Sequence, residues 1–317
     1  MFSIIIPLYN KARYIRKALE SVSAQTYQEF ELIVVNDGSE DDSLKNLRFA
    51  IYDLQLPEEK IRIIDQQNQG VSSARNNGVK VAKYDFIAFL DADDWWEPIY
   101  LEEMKLLIEK HPEAGIYGSS YFIIKKGHKR IAPIGVAPNF TRGIINYFSV
   151  YSKTLCMPLW TGTTILKKSI FEKEKGFKPN LKLGEDFDLW VRVALKYPVA
   201  FLNKPLATYN QDVDEKERGV VAMKLYRPET HFIFNLDYLH DEESINRDLH
   251  DLLDSLRVYT LLRYRLQGSY LLEYKKEIKK VDKKNQPFSV YLNYKLPVFV
   301  LVIWSKLRVR LGNYLKT

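Results

Sequence analysis

The sequence predicts an α/β protein with a mostly parallel central sheet flanked by helices, followed by a helical extension at its carboxyl end. Apolar strand-like segments alternate with helical segments over the first hundred residues. A polar turn follows each of these strands. After Pro228 the sequence pattern is typical of helices. We therefore predict two domains, residues 1–228 and residues 229–317.

The alternating segments are assigned from their apolar periodicity. Strands are predicted at Phe2–Pro7, Phe30–Asn36, Ile61–Asp65 and Tyr84–Leu90, and helices at Lys11–Ala24, Asp41–Leu54 and Gly70–Ala82. Strands that alternate with helices in this order require a parallel sheet with helices on both faces. Further along we expect a helix at Pro98–Lys110, a strand at Ala114–Tyr117, a hairpin around Gly127 and a helix that opens at Gly184.

Composition places the protein in a reducing compartment. Cys156 is the one cysteine among 317 residues, which excludes an internal disulfide and a cysteine-based zinc cluster. Met1 leads into the first strand without a basic region, so we expect no signal peptide and a cytoplasmic location.

The net charge of +7 is concentrated in the tail, where residues 254–317 hold 14 Lys and Arg against 4 Asp and Glu. Because Val290–Leu311 is also apolar and aromatic, we predict peripheral contact with the inner face of the cell membrane and no nucleic-acid partner. The alternative is a terminal helix docked on the core or on a second copy.

Asp91, Asp93 and Asp94 follow directly after the predicted strand Tyr84–Leu90. Open α/β sheets bind ligands at the edge where their parallel strands end. Carboxylates this close together repel one another unless they share a cation, and hard Mg²⁺ or Mn²⁺ prefers carboxylate and phosphate oxygens. The cluster therefore predicts a divalent metal bound together with a phosphorylated substrate. The alternative is a solvated acidic loop that caps the next helix.

Five segments carry a family resemblance: Ile4–Asn10, Glu31–Ser39, Asn68–Gly78, Leu90–Asp94 and Gly184–Trp190. Each is a weak match alone, but in this order and spacing they resemble the family 2 inverting glycosyltransferases of the GT-A fold, of the type that builds bacterial cell-surface glycans. The resemblance covers about residues 1–212 and implies a Rossmann-like sheet. It also implies a nucleotide-sugar donor, UDP-linked in our interpretation, and a glycan or lipid-linked glycan acceptor.

The nucleotide-binding residues are expected where the first strands end: Pro7, Tyr9, Asn10, Asp37, Arg75 and Asp91. The Tyr9 ring can stack on a nucleobase, with an ordinary turn tyrosine as the alternative. The Asp37 carboxylate can accept a hydrogen bond from uracil or thymine. For Asp37 the alternative is an Asp-Gly turn that caps the next helix. Arg75 can reach a phosphate or form a structural ion pair with the nearby acids.

The resemblance also implies the roles of the acidic residues. Asp91 faces the ribose, Asp93 binds Mn²⁺ or Mg²⁺, Asp186 is the base that removes the acceptor proton, and Glu185 orients the acceptor or the base. The alternative for Glu185 and Asp186 is a pair of acids that stabilise a helix amino terminus.

One segment departs from the family pattern. Many relatives carry a histidine about three residues after a tyrosine that follows the second acidic motif; here Asp212 stands three residues after Tyr209. Asp212 is therefore our candidate third metal ligand, and His231 is a more distant one. By position, Trp160, Thr161, Gly162 and Trp190 are candidates for the sugar or acceptor site.

Rival functions are weaker. A nucleotidyltransferase or a dinucleotide oxidoreductase needs a glycine-rich loop after the first strand, and Pro7–Lys11 contains no glycine. A non-catalytic carbohydrate-binding or scaffold protein with the same fold remains as the alternative from a different class.

Overall fold

The structure is a computed structural model that describes residues 1–214, 224–282, 284 and 286–301. The chain forms two compact units, Met1–Val221 and Ala222–Thr317. This division falls slightly before the predicted boundary at residue 228, and the roles assigned to the two domains stay predictions.

The first half of the first unit has the predicted alternation of strands and helices. Its elements are β1 (Phe2–Leu8), α1 (Ile15–Ser23), β2 (Phe30–Asp37), α2 (Ser43–Asp53), β3 (Ile61–Gln66), α3 (Val71–Val81) and β4 (Phe86–Phe89). The largest difference from the prediction is the start of α1, which begins at Ile15 instead of Lys11. The preceding residues form a turn in which the Tyr14 amide donates to the Lys11 carbonyl at 2.9 Å.

The second half of this unit adds six strands, among them the two longest, and four α-helices. Its elements are β5 (Trp95–Trp96), α4 (Tyr100–Lys110), β6 (Ile116–Lys125), β7 (His128–Ile131), β8 (Arg142–Ile145), α5 (Tyr147–Thr154), β9 (Thr164–Lys167), α6 (Lys168–Lys173), α7 (Glu185–Ala194) and β10 (Val199–Asn210). The predicted hairpin is confirmed, because Lys125 pairs with His128 across the turn that contains Gly127.

The ten strands of the described residues belong to one sheet, whose main path runs β3-β2-β1-β4-β9-β6-β10-β5. β1 pairs in parallel with β2 and β4, and β2 pairs in parallel with β3. β9 is antiparallel to both β4 and β6, so the sheet is mixed beyond β4. Because β1, β2, β3 and β4 run in one direction, the loops that follow them open on a common edge.

β1 is buried in the core, and α3 packs closely against it. Ile4, Ile5 and Ile6 have no exposed surface, as expected for a strand covered on both faces. Gly78 lets α3 approach closely, because a Cβ atom built there would lie 2.5 Å from Ile5 Cγ2. This packing positions α3, which carries Arg75, against the edge where the loops open.

The second unit is helical, with α8 (His240–Ile245), α9 (Arg247–Gln267), α10 (Leu271–Ile278) and α11 (Phe288–Lys295). Leu249, Leu252 and Leu256, which are spaced three and four positions apart, form the buried face of α9. Ile245 and Tyr259, which the same spacing includes, are 81% and 62% exposed. Ile245 lies outside this face because the Asn246 side chain caps α9 and starts a new helix after Ile245.

The predicted membrane-surface segment, Val290–Leu311, extends beyond the described residues after Leu301. Within the part of the chain that the structure describes, no helix has the length and apolar character needed to cross a membrane.

Candidate active site

The three acids after β4 each have a different partner within the protein. Asp91 Oδ1 accepts a hydrogen bond from Arg75 Nη2 at 2.7 Å, and Asp93 Oδ2 lies 2.8 Å from the Lys11 ammonium. Asp94 Oδ1 accepts from the Asn210 amide at 2.7 Å. Burial, followed by the neighbouring carboxylates, raises the pKa of Asp94 well above its usual value. Burial also raises the pKa of Asp93, although Lys11 opposes this shift.

Arg75 joins this cluster to the second acidic motif. Its guanidinium is 4% exposed, and Nη1 lies 3.1 Å from Glu185 Oε1 while Nη2 bonds Asp91. Burial disfavours its charged form, but the carboxylates of Asp91 and Glu185 hold the pKa of Arg75 above its usual value. The ion pair with the Asp cluster is therefore formed, and contact with a phosphate stays a prediction.

Glu185 and Asp186 lie in the first turn of α7, which starts after Gly184 in a left-handed conformation, φ +77°. Asp186 Oδ2 accepts from Thr161 Oγ1 at 3.2 Å, and Oδ1 accepts from the Phe187 amide at 2.7 Å. Burial raises the pKa of Asp186, and burial together with Asp186 raises the pKa of Glu185 to about 7. Both carboxylates consequently bind a proton more tightly than an exposed acid does, a property that suits a general base.

Asp37, at the end of β2, is 3% exposed and holds the loop that leads into α3. Its carboxylate accepts hydrogen bonds from the amides of Gln69 and Gly70, both at 2.8 Å, and from Gln66 Nε2 at 2.7 Å. The capping role that we considered as the alternative is not the one observed, because the next helix, α2, has Asp42 at its N-cap and Asp37 instead holds the loop before α3. Recognition of a base by Asp37 stays a prediction.

The loop after β1 presents an exposed ring. Pro7 pairs with Val35 inside the sheet, whereas Tyr9 is 42% exposed. Asn10 adopts a left-handed conformation, φ +50°, and its Oδ1 accepts from the Glu40 amide at 2.9 Å. Tyr9 consequently offers an aromatic face at the edge where the strands end.

The candidate acceptor residues lie beside Asp186. Trp160 is 8% exposed, and its ring packs between Tyr121 and Tyr209, with centroid distances of 4.8 and 5.1 Å. A Cβ atom at Gly162 would lie 2.5 Å from Trp160 Cη2, so the absence of a side chain at Gly162 leaves space for the Trp160 ring. Thr161 connects the group to Asp186 through the hydrogen bond described above.

The prediction that Trp190 contacts the sugar or acceptor is wrong for this structure. Trp190 has no exposed surface, and its indole packs against Phe89 and Phe177 with centroid distances of 6.4 and 5.7 Å. A large apolar ring contributes more to stability when it is buried in the core than when it lines a solvated site. Trp190 therefore supports α7, while Glu185 and Asp186 come from its first turn.

The two candidates for a third metal ligand have other contacts. Asp212 accepts hydrogen bonds from the amides of Lys126 and Gly127, the latter at 2.7 Å, in the turn between β6 and β7. His231 belongs to the second unit, is 3% exposed, and accepts from the Ile233 amide at 3.1 Å. Burial lowers the pKa of His231 to about 4. The metal role of Asp212 stays a prediction, and His231 has the contacts of a packed aromatic residue.

The carboxylates fit a hard divalent cation. Asp93 already holds one cationic group, the Lys11 ammonium, and Asp91 lies in the same loop with 29% of its side chain exposed. Asp94 is 1% exposed and less available. Asp93 and Asp91 are thus the residues that would hold Mn²⁺ or Mg²⁺. Lys11 was not among the predicted site residues. The feature that could have identified it is its position as a cationic residue directly after the Tyr9-Asn10 turn.

The architecture is that of a GT-A protein. The crystal structure of S. aureus TarS 1-349 in complex with UDP-GlcNAc matches this fold with a TM-score of 0.66. The match covers 90% of this chain and 82% of that one, at 21% sequence identity. The predicted fold class is confirmed.

The sequence comparison is more specific than the fold. Residues 3–173 match the model of glycosyl transferase family 2, so the chain belongs to that family. An uncharacterized glycosyltransferase of Rickettsia felis is 33% identical over 207 residues, which are 63% of this chain and 32% of that protein. Glycosyltransferase GlyA of Streptococcus pneumoniae is 30% identical over 216 residues, 65% of this chain and 30% of GlyA. The chain thus spans about a third of the length of these two relatives.

Proposed function

We propose that the protein is a metal-dependent, inverting glycosyltransferase that moves a sugar from a UDP-sugar to a hydroxyl of a glycan or lipid-linked glycan. The observation that carries this proposal is the chain of contacts Asp91–Arg75–Glu185, which joins the metal and ribose side of the site to the motif that contains Asp186. A site for both a donor and a general base needs the two acidic motifs in one place, and Arg75 holds them there.

The donor half of the site rests on Tyr9, Asp37, Asp91 and Asp93. The exposed Tyr9 ring can stack on uracil, and Asp37 holds the loop that leads into α3. Asp93 and Asp91 would bind Mn²⁺ or Mg²⁺, which when bound neutralises charge on the departing diphosphate. The UDP preference is supported by TarS, a protein of the same fold, whose structures contain UDP and UDP-GlcNAc.

The acceptor half rests on Asp186. Its carboxylate removes the proton from the acceptor hydroxyl while the hydroxyl oxygen forms a bond to the anomeric carbon of the sugar. The bond from that carbon to the diphosphate oxygen breaks, and its electron pair leaves with the nucleoside diphosphate. Attack from the face opposite the leaving group inverts the configuration. Hydrogen bonds from Thr161 and Phe187 fix both oxygens of Asp186 for this task.

Trp160, Thr161 and Gly162 would receive the acceptor. Thr161 bonds Asp186, and the Trp160 ring, which packs between Tyr121 and Tyr209, would support this segment beside the base. Glu185 carries the ion pair to Arg75 and orients the turn of α7 from which Asp186 projects.

The lipid-linked acceptor is proposed from the basic tail, because residues 254–317 combine Lys and Arg with apolar residues. A chain without Val290–Thr317 should bind anionic vesicles more weakly than the full chain does. Equal binding would remove the membrane part of the proposal.

The function is tested first by calorimetric titration of UDP, GDP and dTDP in the presence of Mn²⁺ and then in excess chelator. We expect UDP to bind best and its binding to depend on the metal. Failure of every nucleotide to bind would refute the proposed donor class.

Asp186→Asn should retain UDP binding but lose about 10²- to 10⁴-fold in transfer, because only the base is removed. Glu172→Gln, an exposed control on α6, should behave like the wild type. A scaffold protein would show no transfer in either form.

A further inference from the structure

The Lys11 ammonium forms an ion pair with Asp93, the carboxylate that would bind the metal. Its Nζ lies 2.8 Å from Asp93 Oδ2, and the two side chains are only 12% and 19% exposed. This pair differs from a surface ion pair, because it lies at the ligand edge of the sheet and one partner is the carboxylate to which we assign the metal.

The backbone around Lys11 is held by Asp41 of the loop after β2 and by Ser43 and Asn46 of α2. The Lys11 amide donates to Ser43 Oγ at 2.7 Å, and the Ala12 amide donates to Asp41 Oδ2 at 3.1 Å. Asn46 Nδ2 donates to the Ala12 carbonyl at 2.9 Å. The backbone position is therefore fixed, while the four-carbon stem of lysine lets the ammonium move over a short arc.

The ammonium and a divalent cation compete for Asp93. Two cationic groups that share one carboxylate repel each other across a few ångströms in a partly buried site. A metal that binds without a nucleotide must therefore displace Lys11 and leave the ammonium without Asp93. A diphosphate changes this balance, because its oxygens are anionic acceptors for the displaced ammonium.

We infer that Lys11 couples metal binding to donor binding: its ammonium holds Asp93 when the site is empty and moves to the diphosphate when donor and metal enter together. The inference rests on the proposed function and extends it, since it makes the metal affinity of the site conditional on a nucleoside diphosphate. By linkage, UDP raises the affinity for Mn²⁺ by the same factor by which Mn²⁺ raises the affinity for UDP.

The test is a titration of Mn²⁺ followed by electron paramagnetic resonance of the free ion, with and without UDP, on the full chain. Lys11→Met should bind Mn²⁺ alone more tightly than the wild type, because the competing ammonium is gone. The same variant should bind UDP more weakly in saturating Mn²⁺, because a phosphate contact is lost. The factor that couples the two ligands should fall by about 10-fold, within the usual range of coupling between sites.

Three further variants control the result. Lys45→Met makes the same charge change at a side chain that is 79% exposed, and it should match the wild type in all titrations. Lys11→Arg keeps the charge and should retain most of the coupling. Lys11→Gln repeats the removal with a polar side chain and keeps the test available if Lys11→Met folds poorly.

The outcomes separate the inference from the proposed function. If the wild type binds Mn²⁺ and UDP together but Lys11→Met and Lys11→Gln leave both the metal affinity and the coupling factor unchanged, Lys11 is only a structural ion pair and the inference is wrong. If the wild type itself shows no UDP binding with Mn²⁺, the proposed donor site is refuted and the inference falls with it. Tighter binding of Mn²⁺ alone together with weaker binding of UDP supports the inference.

Discussion

Arg75 and Glu185 are 110 positions apart in the chain, yet Arg75 Nη1 lies 3.1 Å from Glu185 Oε1. The other terminal nitrogen of the same guanidinium bonds Asp91 at 2.7 Å. Two carboxylates from different motifs are thereby held by one planar group, whose fork geometry suits two acceptors at once. The distance between the donor side and the base side of the site depends on this side chain.

We expect Arg75→Met to lower the free energy of unfolding by about 3 kcal/mol, the lower end for a broken buried ion pair, because two carboxylates lose their cation. Arg75→Lys should be less destabilised but still lose transfer, since an ammonium cannot satisfy both acids with the same geometry. Urea denaturation and initial rates measure the two effects. Wild-type transfer in Arg75→Lys would show that charge alone is sufficient.

The hydrogen bond from Thr161 stabilises the charged form of Asp186 and lowers the pKa of that carboxyl against the upward effect of burial. Thr161→Val removes this bond with little change in volume, so the pKa of Asp186 should rise. The base would then stay protonated to a higher pH, and the acidic limb of the kcat/KM profile should move to higher pH. A profile measured across that limb checks the direction. Thr26→Val, on an exposed threonine remote in sequence, should leave the profile in place.

Asp212 accepts bonds from two amides of the turn between β6 and β7. We expect Asp212→Ala to lower the free energy of unfolding by about 1 kcal/mol, as for lost hydrogen bonds at an exposed site. If the turn is the main role of Asp212, the affinity for Mn²⁺ in the presence of UDP should not change. A clear loss of Mn²⁺ affinity would instead support Asp212 as the third metal ligand.

Gly78→Ala should destabilise the protein, although alanine favours a helix more than glycine does. The added Cβ would lie 2.5 Å from Ile5 Cγ2 in the core. We expect a loss of about 1–3 kcal/mol, the usual effect of overpacking. Thermal unfolding measures it, with Lys80→Ala, an exposed position of the same helix, as the control. An unchanged or raised unfolding temperature would mean that β1 and α3 can move apart with little loss of stability.

Some features of the site could be predicted because they are local. The apolar run of β4 ends at Asp91, and the carboxyl ends of parallel strands share one edge, so the position of this acid followed from the pattern. Trp190 shows the limit of such reasoning. Its place near Asp186 in the sequence indicated the acceptor site, but Trp190 lies one turn further into α7, where its ring packs against Phe89 and Phe177 in the core.

By itself the sequence determined the alternation of β1 to β4 with α1 to α3, the turn at Gly127 and the acidic motifs at Asp91 and Asp186, because each depends on residues within a few positions of one another. Only the tertiary structure decided the partners of the acids: Lys11 with Asp93, and Arg75 with both Asp91 and Glu185. These pairs join segments separated by up to 110 positions. Which charges meet across such distances is set by the packing of the helices and strands, and local periodicity carries no information about it.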